Sequence, residues 1–81
     1  MGRQNKGIKD KDLARLIKNL SKNLYSARIS KGLTQQALAS QANMAISTIW
    51  ELENARVEDF RMSTVTAIAG QLGVDVLTLL S

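Results

Sequence analysis

The stretch Gly32-Leu33-Thr34-Gln35-Gln36-Ala37-Leu38-Ala39-Ser40-Gln41-Ala42-Asn43-Met44-Ala45-Ile46-Ser47-Thr48-Ile49-Trp50-Glu51-Leu52-Glu53-Asn54 reads as two short helices joined by a tight turn. Thr34 is a good N-cap, because its hydroxyl can accept from a free N–H of the first helical turn. Residues 35–39 follow with Leu38 and Ala39 on one side, the side that meets a core. Residues 41–44 break the pattern, and Asn43 is one of the few non-glycine residues that tolerate positive φ, so the chain can reverse there. The next helix runs from about residue 46 to residue 54. Its spacing turns Ile49 and Leu52, with Met44 before them, inward, and leaves Ile46, Ser47, Trp50 and Glu51 on the opposite side.

Three further helices flank this pair. Leu13, Leu16, Ile17, Leu20, Leu24 and Ala27 recur at three- and four-residue spacing, one face of a long amphipathic helix that starts near Asp12 and stops at Gly32. Asp10 or Asp12 is its candidate cap. After a charged connector, Met62, Val65, Ile68, Ala69 and Leu72 repeat helically up to Gly73, and Asp75 is placed to cap a last short helix, residues 76–80. No strand-like alternation, internal repeat or proline interrupts the sequence. The expectation is an all-α, five-helix domain over residues 12–81 behind a flexible basic arm, residues 1–11.

Composition narrows the function. The 81 residues contain no cysteine and no histidine, which removes disulfides, thiolate metal sites and the commonest general base. The remaining Asp, Glu, Lys, Ser and Tyr come without a Gly-rich phosphate loop, a paired-carboxylate spacing or a nucleophile motif. We therefore expect no enzyme activity, metal, cofactor or small-molecule ligand. Apolar runs fall far short of the roughly 20 residues a bilayer requires, and the first residues are too polar for a signal-peptide core, so a soluble cytoplasmic protein without a membrane partner is expected.

The net charge of +4 favours an anionic partner, and its distribution is uneven. Residues 1–31 carry nine Lys or Arg against two acids, a net of +7; residues 32–81 carry Arg56 and Arg61 against five acids, a net of −3. Affinity for a polyanion would then draw on the arm, through Arg3, Lys6 and Lys9, which could follow a backbone or enter a minor groove.

Gly32–Ala39, Ser47–Asn54 and the block Ile68-Ala69-Gly70-Gln71-Leu72-Gly73-Val74, with the spacing between them, resemble the Cro/repressor-type (Xre-like) helix-turn-helix family over about residues 20–80. The resemblance implies a lambda-repressor-like DNA-binding domain whose second and third helices form the motif, the third entering the major groove of double-stranded DNA. It implies that Gln35 contacts phosphate and braces the start of the recognition helix, with Gln36 a second candidate. Base edges would be met by Ile46, Ser47 and Glu51, with Thr48 and Trp50 nearer the groove wall. Ile46 suits a thymine methyl, Ser47 several bases, and Glu51 the cytosine amino group. Trp50 could equally stack on sugar-phosphate, pack on the arm, or be half-covered by a neighbouring helix. No Arg, Asn or Gln stands on this face, so specificity would lean on DNA shape.

The same resemblance implies a partly buried salt bridge between Arg28 and Glu53, and shows Ala45 where a capping Ser or Thr is common. Arg56, just after the recognition helix, is placed to clamp a phosphate. One motif per chain and a Leu-rich final helix point to a homodimer on a palindromic operator, with Val76, Leu79 and Leu80 at the interface and Leu77 in the core. The competing expectation is a protein-interaction module of the same fold, such as an antitoxin or anti-repressor, using the face of Ile46 and Trp50.

Overall fold

In the computed structural model, which describes residues 11–81 with their side chains, the elements are α1 (Gly2–Ser30), α2 (Gln35–Gln41), α3 (Ile46–Glu53), α4 (Met62–Leu72) and α5 (Val76–Leu80). Among the described residues there is no strand, and no described helix is long and apolar enough to cross a membrane. Arg3, Lys6 and Lys9, the expected arm contacts, lie outside the described residues. Asp12 does not cap α1: it lies within the helix and forms an exposed ion pair with Arg15 at 3.3 Å.

The first four helices end in the same way, with one residue at positive φ: Gly32 (74°), Asn43 (57°), Ala55 (54°) and Gly73 (68°). In each case the N–H of the following residue bonds back to the carbonyl five positions earlier: Leu33 to Arg28, Met44 to Ala39, Arg56 to Glu51, and Val74 to Ala69, at 2.8–3.1 Å. These are Schellman closures, which use left-handed backbone to satisfy carbonyls that a helix end otherwise leaves free. Glycine adopts that backbone without steric cost and Asn at little cost; Ala55 does so against its preference.

Start signals are less uniform. Thr34 Oγ1 accepts from the Ala37 N–H at 3.0 Å, as its sequence position predicts. Ala45, Arg61 and Asp75 occupy N-cap positions with no side-chain cap bond, so Asp75 begins α5 through its backbone carbonyl, which accepts from Thr78 and Leu79, and not through its carboxylate.

The helices enclose one core: Leu20 and Leu24 from α1, Leu38 and Ala39 from α2, Ile49 and Leu52 from α3, Val65, Ile68, Ala69 and Leu72 from α4, and Leu79 from α5. The small side chain of Ala39, 2% exposed, lets α2 and α3 approach closely. On α5 the expected facing is reversed. Leu79, expected at an interface, is 1% exposed; Val76 and Leu80 pack half-buried against the core; Leu77, expected inside, is 69% exposed. The cause lies on α1. Asn19 Nδ2 donates to the Leu80 carbonyl at 3.1 Å, and Asn23 Nδ2 donates to the carbonyls of Thr78 and Leu79 at 3.1 and 3.0 Å. These bonds hold the C-terminal end of α5 on α1 and set its rotation so that Leu79 enters the core.

Candidate nucleic-acid interface

α3 is held from behind by its buried face and at its C-terminal end. Ile49 and Leu52 insert into the core. At the C-terminal end, Arg28 grips Glu53 with two bonds, Nε to Oε2 at 2.5 Å and Nη2 to Oε1 at 3.0 Å, while Arg28 Nη1 donates to the Leu33 carbonyl at 2.7 Å. Both side chains are removed from water, at 8% and 3% exposure, and the hydrogen bond to Glu53 raises the Arg28 pKa against the opposing effect of burial. A bidentate guanidinium–carboxylate pair of this kind fixes orientation as well as charge. Ser21 Oγ donates to the Glu53 carbonyl, adding a second tie from α1. The pair expected from Arg28 and Glu53 is therefore formed.

With its back fixed, α3 presents Ile46 (47% exposed), Ser47, Trp50 (45% exposed) and Glu51 outward, while Thr48 is half-buried at the side. Ile46 and Trp50, four residues apart, are neighbours on the helix surface. Together with Gln35 and Ser47 they line a shallow cleft of about 270 Å³. Gln35 thus stands beside the start of α3, while Gln36 is exposed on α2 and away from the cleft lining. The Gln35 amide is not idle: its Nε2 donates to Glu53 Oε1 at 3.0 Å, a partner the sequence did not suggest.

Arg56 is positioned by backbone and ring together. The left-handed turn at Ala55 sends the chain back toward α3, where the Arg56 N–H meets the Glu51 carbonyl, and the guanidinium lies 5.9 Å from the centroid of the Trp50 ring. This is a cation–π distance, and it places the one cation of residues 32–60 at the edge of the exposed face. Sequence reasoning placed Arg56 near this face but missed its contact with Trp50, because the turn depends on an alanine that gives no signal of positive φ. The α1 polar residues Ser21, Asn19 and Asn23 were also missed. Their signal was available, since each lies next to the apolar stripe.

Two short helices, a tight turn between them and an outward third helix form the architecture of a helix-turn-helix. The helix-turn-helix family model matches residues 24–79, well over half of the chain. The chain belongs to this Cro/repressor-type helix-turn-helix family. The crystal structure of a hypothetical transcription factor, NHTF, from Neisseria is similar to this helix-turn-helix chain, with a TM-score of 0.74 and 30% identity, covering 88% of this chain and 75% of that one. No curated protein matches it. α2 and α3, joined by the turn at Asn43, are its helix-turn-helix motif.

Proposed function

We propose that this helix-turn-helix protein is a cytoplasmic, sequence-specific transcriptional regulator that binds a palindromic operator as a homodimer, with the outer face of α3 in the major groove. The observation that carries the reading is the contrast between the two faces of α3. One is locked by Ile49, Leu52 and the Arg28–Glu53 pair; the other leaves Ile46, Ser47, Trp50 and Glu51 free beside Gln35. A rigidly backed, protruding helix of eight residues suits a groove reader. Gln35 and Gln36 meet the phosphates beside the start of α3, Ile46, Ser47 and Glu51 meet base edges with Thr48 at the side, and Arg56 clamps a phosphate. Half-sites would lie one helical turn apart, roughly 34 Å.

The acidic balance of residues 32–81 and the apolar cleft favour one other reading, a protein-interaction module that docks a partner on Ile46 and Trp50. Salt separates the two, since phosphate neutralisation weakens steeply with ionic strength and apolar contact does not. The test is fluorescence anisotropy on random duplex and on the DNA upstream of the coding sequence at two salt concentrations, with wild type and Ser47→Ala/Glu51→Ala. Salt-sensitive binding that prefers the upstream duplex and loses the preference in the double variant supports the regulator. Absence of binding at low salt transfers the face to a protein partner.

A further inference from the structure

We propose that the cleft between Ile46 and Trp50 receives the C5-methyl group of a thymine, so that this chain reads one position of each half-site through a methyl contact. The inference rests on α3 being the DNA-reading helix and says what its face selects.

The cleft is lined by Gln35, Ile46, Ser47 and Trp50, and its two large walls are apolar side chains left about half in water. The major-groove edges of the four bases present hydrogen-bond acceptors, donors and a single apolar group, the thymine methyl. Only that group gains by displacing water from an Ile–Trp cleft. The rest of the face argues against the usual purine contacts. No Arg, Lys or Asn stands among residues 46–53, and the Glu51 carboxylate repels the acceptor edge of guanine. Gln35 has its amide nitrogen turned to Glu53 at 3.0 Å, so it is not free to turn both amide groups onto the edge of an adenine.

The wall itself is steadied. The Arg56 guanidinium lies over the Trp50 ring, 5.9 Å from its centroid, a cation–π contact that favours the indole's position at the cleft. Ser47, on the rim, has a hydroxyl able to donate to the thymine O4 atom that neighbours the methyl. Thymine is therefore the occupant, and 5-methylcytosine, which carries the same methyl beside an amino group, is an alternative outcome of the test.

The experiment selects a bound duplex from a random library and then replaces each thymine singly by deoxyuridine, which removes only the methyl. Anisotropy titrations are run with wild type and Ile46→Ala, the variant's fold being checked by circular dichroism. Wild type should lose affinity about fourfold at one thymine position per half-site, the worth of one buried methyl. In Ile46→Ala the thymine-to-uracil ratio at that position should fall to about one. Trp50, the single tryptophan, should report the same position by a larger emission change with thymine than with uracil. Specific binding that tolerates uracil at every position overturns the proposal. So does a gain confined to cytosine C5-methylation, which assigns the cleft to 5-methylcytosine. No binding to any duplex would instead remove the regulator reading, and this inference with it.

Discussion

Gln35 on α2 donates its amide N–H to Glu53 at 3.0 Å, and Glu53 is the same carboxylate that Arg28 holds from α1. The motif's two helices and the scaffold helix therefore meet on one buried group. Glu53→Gln would leave the Arg28 guanidinium buried without its counter-charge, at a cost of about 3–5 kcal/mol, a large share of a small domain's stability. Gln35→Ala leaves the ion pair intact and should cost about 1 kcal/mol. Urea unfolding followed by circular dichroism measures both, and equal losses would contradict this ranking. The Arg28 pKa is raised, so its contribution is complete below the ordinary arginine range and lost only above it. Stability traceable to Arg28 should therefore stay constant across ordinary buffers.

Ala45 already has the extended backbone of an N-cap, φ −69° and ψ 145°, but no side chain to accept from the first turn of α3. Ala45→Ser supplies the acceptor without altering that backbone and should stabilise by about 1 kcal/mol. For a domain of this size that corresponds to a rise in melting temperature of about 4–8 °C, read from a thermal scan. An unchanged melting temperature would mean that α3 starts elsewhere.

Ala55 holds φ 54°, in the left-handed region, where an L residue with a Cβ is strained by about 1–2 kcal/mol. Glycine relieves the strain but adds entropy to the unfolded chain, offsetting about 0.4–1 kcal/mol. Ala55→Gly should therefore be between neutral and stabilising by about 1.6 kcal/mol. Destabilisation in urea would show that the turn at Ala55 is not left-handed.

Arg56 lies at the rim of the exposed face, over Trp50. As a phosphate contact, its replacement by alanine should weaken binding about equally on every sequence and reduce the slope of log affinity against log salt by about one. Glu51→Ala should do the reverse, changing which sequence is preferred with little effect on the slope. A sequence-dependent loss in Arg56→Ala would make Arg56 a base reader.

The contrast between Ala55 and its counterparts shows what sequence alone could reach. Gly32, Gly73 and Asn43 advertise left-handed turns by residue type, so the helix ends they close are legible; Ala55 does not, and with it the stacking of Arg56 on Trp50 is hidden. Helices with a polar side declare their rotation, which is why the inward and outward faces of α3 were read correctly. α5 has a single polar residue in Val76-Leu77-Thr78-Leu79-Leu80, too little to define a face. Its rotation is set by Asn19 and Asn23, more than fifty positions away in the chain. The Gln35–Glu53 bond is of the same kind: each residue stood out, but their meeting depends on how α2 and α3 cross.

The reversed facing of α5 also changes where a dimer contact should be sought. Leu77 is the most exposed large apolar side chain among the described residues, with Val76 and Leu80 partly open beside it, whereas Leu79 is withdrawn into the core. Leu77→Asp should convert a dimer to a monomer with unchanged helix content, as read by sedimentation velocity and circular dichroism, because the substituted group stays in water. Leu79→Ala should instead cost about 2–5 kcal/mol of stability through the cavity it leaves. A second apolar surface competes for the role. Leu13, Ala14 and Ile17 of α1 face Ala55 and Val57 across a groove of about 710 Å³, bordered by Lys18 and Glu58. Leu13→Asp is the control: dissociation by this variant and not by Leu77→Asp would place the dyad on α1. With the dyad on α5, Leu77→Asp should also lower operator affinity steeply while leaving the weak binding of a single half-site unchanged, as the proposed reading of one half-site by each α3 requires.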